Sequence, residues 1–243
     1  MFAGPNGSGK STIKNVLPKE LLGVYLNPDE IQKVIQATGS FDLTSINVSG
    51  TTREFQDFIS ASSLFNGREG LLAGLSAVTV MGERIDFQGV DVNGYVASVT
   101  SDFLRHKLRE AGVSFSFETV MSSPDKVDFM RASQGVGYRT YLYYVATEDP
   151  EINVKRVENR VKLGGHPVEV GKIRSRYARS LDLLFDAMLV SDRGYIFDNS
   201  KAPGEDFLVA ELGDGTLTIK SDNGVPAWFD KAVLRKIREN PEP

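Results

Sequence analysis

Gly4, Gly9, Lys10 and Ser11 stand in the spacing G-x-x-x-x-G-K-[ST], within the run Gly4-Pro5-Asn6-Gly7-Ser8-Gly9-Lys10-Ser11-Thr12. That spacing suits the holding of a polyphosphate. Gly7 and Gly9 let the backbone turn its N–H groups inward around an anion, where no side chain intrudes. A helix opening near Lys10 aims its positive end at the same point. Lys10 supplies a mobile cation for the outer phosphates, and Ser11 a hydroxyl ligand for Mg2+. Residues 4–12 are therefore expected to bind a nucleotide with Mg2+, and they do not separate ATP from GTP.

Two acids follow at the carboxyl ends of expected strands, where open α/β sheets gather their chemistry. Asp29 follows Gly23-Val24-Tyr25-Leu26, and it reads equally as a helix N-cap and as a catalytic carboxylate. Glu118, followed by Thr119, ends the alternating run Val113-Ser114-Phe115-Ser116-Phe117; a buried strand seldom runs into Glu without a reason. A third feature is cationic. Between Asn153 and Arg179 there are eight Lys or Arg against two Glu, a concentration that asks for an anionic partner. Arg156 and Arg160 share a helix face, and Arg174 and Arg176 lie across the turn Gly164-Gly165-His166. Arginines on such a helix pair can close over a triphosphate. Asn199, in a loop after a late strand, is placed to contact the nucleotide.

Strands and helices alternate around these groups. Phe2-Ala3 ends a first strand, so the sequence is expected to begin inside it, and Ile13, Val16 and Leu17 give the next helix its apolar stripe. A helix from Asp29 carries Ile31, Val34 and Ile35. Residues 51–65 suit another, with Phe55, Phe58, Ile59 and Leu64, which Gly67, Gly70 and Gly74 are expected to break up. Val78-Thr79-Val80 and Ile85-Asp86-Phe87 form a hairpin about Gly82-Glu83. Asn93 caps a helix to Glu110 that Gly112 ends, with His106 as a packing or solvated residue. Residues 125–133 form a helix and 140–145 a strand. Asp149-Pro150 opens the first cationic helix, and a second starts near Val168. Tyr195-Ile196-Phe197 is the last expected sheet strand. Phe207 to Lys220 is a hairpin about Gly213-Asp214-Gly215, and Asn223-Gly224 turns into a closing helix anchored by Trp228 and Phe229.

The pattern is α/β: a parallel sheet with helices on both faces that carries a P-loop, with a helical lid and a small C-terminal hairpin and helix. Residues 1–200 are the expected core, with a lid at about 150–180; residues 201–243 are the appendage. The 243 residues carry a net charge of −4, which argues against broad binding of nucleic acid or membrane surfaces. No charged-then-apolar leader precedes the loop, and no run reaches the length of a membrane span. With no cysteine, a reducing cytoplasm is the expected compartment.

The order of G-P-N-G-S-G-K-S-T at Gly4, N-P-D-E-I at Asn27, S-F-E-T at Ser116, R-V-K-L-G-G-H at Arg160, R-S-R-Y at Arg174 and F-D-N-S at Phe197 resembles the zeta-toxin family. These are P-loop kinases related to UDP-N-acetylglucosamine kinase, and the likeness is to the shorter bacterial members carrying G-G-H. The resemblance covers most of residues 1–200 and implies a P-loop kinase-like fold; against the family's spacing from Asp29 to Glu118, residues about 44–93 read as an inserted segment. The resemblance further implies ATP-dependent phosphorylation of a hydroxyl on a small-molecule acceptor, a nucleotide sugar such as a UDP-N-acetyl amino sugar. Asp29 would be the general base and Lys10 would hold the phosphates. Glu118 and Thr119 would lie on the substrate side, and Arg160 with Arg174 or Arg176 would be the paired lid arginines. An antitoxin protein is a further implied partner. The rivals are a nucleotide-gated binding module and an ATPase without an acceptor.

Overall fold

The computed structural model describes residues 1–62, 69–201, 207–221 and 224–239. The chain folds as two compact units, one made of Met1–Leu17 with everything from Glu118 onward, the other of Pro18–Phe117. The first unit opens with a two-residue strand, β1 (Phe2–Ala3), and a two-turn helix, α1 (Lys10–Val16). Ile13 is buried, but Val16 is 73 % exposed. The expected apolar stripe is thus reduced to one buried residue, because α1 ends at Val16 and Leu17 has already turned to extended backbone as its cap.

In the second unit, β2 (Val24–Leu26) leads into α2 (Pro28–Thr38). The cap of α2 is Asn27, whose side-chain oxygen accepts from the N–H groups of Asp29 and Glu30 at 2.8 and 3.3 Å, with Pro28 at the first helical position. The capping job considered for Asp29 therefore belongs to Asn27, and the Asp29 carboxylate is left for other work. Next come β3 (Ser40–Asp42), β4 (Gly50–Thr51), α3 (Thr52–Ala61), α4 (Glu69–Leu75), β5 (Thr79–Gly82), β6 (Arg84–Asp86) and α5 (Gly94–Glu110). Thr51 and Glu54 form a reciprocal capping box on α3. Asn93 caps α5 as expected, accepting from the N–H groups of Tyr95 and Val96.

Gly70 and Gly74 do not break the helix up; both lie inside α4. That helix buries Leu75 completely, and packing of this kind overrides the weak propensity of two glycines. Leu64, Phe65 and Gly67 lie outside the described residues, as does Asn223. The expected hairpin exists as β5 and β6, and β3 and β4 extend it to a four-stranded antiparallel sheet in the order β3-β6-β5-β4. Three phenylalanines knit this unit: the Phe55 ring meets Phe87 and Phe103 edge-on at 6.2 and 5.1 Å between centroids.

The strand β7 (Phe115–Thr119) runs through the unit boundary. Its Phe115 to Phe117 pair in parallel with β2, and its Glu118 and Thr119 pair in parallel with β1. The first unit then continues with α6 (Asp125–Gly135), β8 (Tyr141–Ala146), α7 (Pro150–Lys162), α8 (Val170–Asp182), α9 (Leu184–Leu189) and β9 (Arg193–Asp198). The hairpin β10 (Leu208–Gly213) and β11 (Thr216–Ile219) turns at Asp214 and Gly215, both with positive φ (51° and 74°), as a tight hairpin requires. It adds antiparallel strands to β9. The resulting order β11-β10-β9-β8-β1-β7-β2 is a seven-stranded, mostly parallel sheet flanked by helices. The chain closes with α10 (Ala227–Phe229), a π-helical turn over Asp230–Leu234 and α11 (Arg235–Glu239). Trp228 and Phe229 are buried, the indole 6.3 Å from the Tyr144 ring. Among the described residues no helix is long and apolar enough to cross a membrane.

His106 packs edge-on against Phe58 at 5.1 Å, in keeping with the packing role expected of it. Burial, and then the neighbouring Arg105 and Arg109, push its imidazole down to about 4. The folded state therefore holds this ring neutral where the unfolded chain protonates it. Stability should fall as pH drops from about 6.5 through about 4, by on the order of 1–2 kcal/mol after screening. Urea melts across that range should show a steeper fall in the wild type than in His106→Phe, which keeps only the slope owed to carboxylates such as Glu54 and Asp192.

Candidate functional site

The two residues of β1 are paired on both sides: Phe2 with Glu118 and Tyr143, and Ala3 with Thr119 and Tyr144. The chain therefore leaves the sheet at Gly4, between the carboxyl ends of β7 and β8. Gly4 has φ 139°, and a Cβ there would sit 2.0 Å from the Val145 carbonyl oxygen. Gly7 (φ 75°) and Gly9 (φ 100°) carry the left-handed backbone that bends a loop around an anion. Pro5 and Ser8 are buried, and Lys10 is half-buried at the start of α1. The Lys10 ammonium donates to the carbonyls of Gly4 and Pro5 at 2.8 and 3.0 Å, folded across the mouth of its own loop. Ser11 donates to Glu118 Oε1 at 3.3 Å, so a hydroxyl and a carboxylate stand side by side beyond β7. These are hard oxygen donors of the kind Mg2+ takes together with substrate phosphates. Thr119 is occupied locally, its hydroxyl accepting from the Met121 N–H at 2.9 Å.

The loop is also held from outside. Asn199, just beyond β9, donates from Nδ2 to the Ser8 carbonyl at 2.7 Å, while its own N–H reaches the Ala146 carbonyl at 2.8 Å. Asn153, fully buried one turn into α7, donates from Nδ2 to the Asn6 carbonyl at 2.7 Å. Its side-chain oxygen accepts from Thr147. The Thr147 carbonyl in turn accepts from the Tyr177 hydroxyl of α8 at 2.6 Å, and burial raises that phenol's pKa. α7 can start where it does because Asp149 caps it and Pro150 takes its first position. Beside this relay, burial and then the nearby Asp198 raise the pKa of the Glu148 carboxyl.

The cationic helices pack through Val154, Val157 and Ile173. Arg160 Nη2 donates to the His166 carbonyl at 2.9 Å, closing the turn after its own helix. Arg174 grips Glu151 with both arms of its fork, at 2.7 and 3.1 Å. That pairing, made largely by hydrogen bonding, lowers the pKa of the Glu151 carboxyl. Arg176 is half-buried. Asp29 is exposed in the first turn of α2, in the other unit.

The structure thus brings together Gly4, Pro5, Asn6, Gly7, Ser8, Gly9, Lys10, Ser11, Glu118 and Asn199. It adds two residues that sequence reasoning did not single out for this loop, Asn153 and Tyr177. Asn153 could have been found as a polar residue on the packing face of α7, one position from Val154 and four from Val157. Arg156 also stands out, because its Nη1 is buried without a hydrogen-bond partner, as are Asn6 Oδ1 and Ser8 Oγ at the loop. Polar atoms in that condition are uncommon, and each asks for an explanation such as a ligand.

Residues 92–183 match the zeta toxin family. This segment runs from the end of the turn before α5 to just past α8, so it holds Glu118, Thr119, Asn153, Arg160, Arg174 and Arg176, but neither the loop nor Asp29. A 65-residue stretch is 29 % identical to an uncharacterized protein of Haemophilus influenzae, over 27 % of this chain and 46 % of that protein. The solved structures similar to this chain include those of AvrRxo1-ORF1:AvrRxo1-ORF2 with sulphate ions and with ATP, at 15 % and 16 % identity and a TM-score of 0.47 for both. They align with 91 % and 90 % of this chain, which spans about three-fifths of their length (61 % and 60 %).

A Cβ on Gly9 would stand 2.1 Å from Asn199 Nδ2, at a φ that L residues avoid. Gly9→Ala should therefore weaken the ATP binding expected of this loop, read by calorimetry, at least tenfold. Gly137→Ala is the control: its φ is 90° but the space around it is open, so it should cost about 1 kcal/mol of stability and leave binding alone.

Proposed function

We propose that this protein is an ATP-dependent phosphotransferase of the zeta-toxin kind, moving the γ-phosphoryl group to a hydroxyl of a small molecule. The observation that carries the proposal is the loop itself: three glycines with positive φ, a lysine across its mouth, and Ser11 against Glu118. The match of residues 92–183 to the zeta toxin family supports it from a separate part of the chain.

In the proposed mechanism the amides of residues 7–10 and the Lys10 ammonium bind the β- and γ-phosphates. Ser11 and Glu118 are the residues that would hold Mg2+, which when bound offsets charge on the phosphate oxygens. Asp29 takes the proton of the acceptor hydroxyl. The freed oxygen attacks the γ-phosphorus as the bond from that phosphorus to the β–γ bridging oxygen breaks, and ADP leaves. Arg160 with Arg174 or Arg176, in this proposal, stabilise charge on the group in transfer; Arg174 would first exchange Glu151 for phosphate, which its pairing at the surface makes inexpensive. Thr119 stays on the acceptor side. A nucleotide sugar, such as a UDP-N-acetyl amino sugar, is the acceptor class that the resemblance of the sequence motifs implies, and a neutralising antitoxin belongs to the same proposal.

Incubation with radiolabelled ATP, Mg2+ and a panel of nucleotide sugars should give a labelled sugar product. Asp29→Ala should lower transfer by at least a thousandfold while ATP still binds, and Lys10→Ala should weaken both. Phosphate release with no labelled acceptor would point to an ATPase. Full transfer by Asp29→Ala would overturn the choice of base.

A further inference from the structure

Two asparagines from different elements grip the loop from outside, and their spacing along it is the telling feature. Asn153 Nδ2 takes the carbonyl of Asn6, and Asn199 Nδ2 takes the carbonyl of Ser8, each at 2.7 Å. A trans peptide is planar, with its C=O and N–H pointing in opposite directions. Drawing the Asn6 carbonyl toward α7 therefore turns the Gly7 N–H away from α7. Drawing the Ser8 carbonyl toward Asn199 likewise turns the Gly9 N–H away from Asn199. The two captured peptide planes are those that deliver the glycine amides of the loop.

The glycines fit the same account. At Gly7 a Cβ would sit 2.7 Å from the Asn153 carbonyl oxygen, and at Gly9 it would sit 2.1 Å from Asn199 Nδ2. Both positions are left bare where an asparagine makes its approach. Each asparagine is fixed in turn. Asn153 Oδ1 accepts from Thr147, whose carbonyl is held by Tyr177, and the Asn199 N–H is bonded to the Ala146 carbonyl. A carboxylate of the same shape would not serve here, since it would set its charge against a carbonyl oxygen and offer no donor.

We infer that Asn153 and Asn199 are a pair of positioning residues that set the loop's amides for polyphosphate before any ligand arrives. The inference rests on the nucleotide reading above and goes beyond it by assigning Asn199 to the loop backbone rather than to the nucleotide. A site whose dipoles are already aimed spends none of its binding energy on ordering them. The pair acts through the loop and touches neither the acceptor nor the base.

The test uses the full chain, with ADP, tripolyphosphate and adenosine as probes in calorimetry or competition. Asn199→Asp and Asn153→Asp should each weaken ADP and tripolyphosphate at least tenfold and change adenosine binding less than twofold. In the ligand-free protein, amide exchange at Gly7 and Gly9 should quicken. Asn199→Gln, which keeps the donor on a longer arm, should recover part of the loss. Should the buried Asn153 variant fail to fold, the Asn199 series decides alone, because that side chain is half-buried in a loop. ADP affinity unchanged in Asn199→Asp and Asn199→Ala would overturn the inference, as would equal losses for ADP and adenosine. A wild type that binds no ADP would overturn the nucleotide reading itself, and the inference with it.

Discussion

The site depends on the clamping of a strand two residues long. β1 is too short to hold a place by itself, yet Phe2 and Ala3 are bonded to β7 on one side and β8 on the other. That double pairing fixes where the chain leaves the sheet and which neighbours it meets. Glu118 arrives beside Ser11 because it shares a register position with Phe2, and Val145 crowds Gly4 because β8 runs past on the other side. A slip of one residue would exchange the faces of every side chain on the strand. The stacking of Phe2 on Tyr143, at 5.1 Å, adds a side-chain lock to the backbone one.

Around the loop, the rule that buried polar groups must be satisfied explains most of what is seen. Loop carbonyls are met by lysine and asparagine side chains, α7 is capped by Asp149, and Tyr177 ties α8 to the end of β8. The cations of α7 and α8 are not a diffuse positive cloud. Arg160 closes a turn, Arg174 bridges to Glu151, and Arg156 alone of these carries a buried nitrogen with no partner. The charge excess seen in the sequence thus resolves into guanidinium groups with different degrees of commitment.

Much of this was legible in the residues, for physical reasons that differ from place to place. The glycine-rich loop, the Asn93 cap and the Asp149-Pro150 start were readable because each depends on local backbone chemistry that few residue types supply. The hairpin about Asp214 and Gly215 was readable for the same cause. What was missed depends on partners distant in sequence. Gly70 and Gly74 are helical because Leu75 is packed away, a fact no window around the glycines contains. β3 and β4 are three and two residues long and exist by pairing with β6 and β5. The asparagine at position 153 could be seen as polar on an apolar face, but its partner lies 147 residues away.

The single tryptophan of the chain has a practical consequence. Trp228 is shut away against Tyr144 in the unit that carries the loop, and Pro18–Phe117 has no indole of its own. Tryptophan emission, excited at the red edge where tyrosine does not absorb, is therefore a reporter confined to one unit of the molecule. Compared with far-ultraviolet circular dichroism, which sees every helix, it reveals whether the two halves melt together or one after the other, with no label introduced.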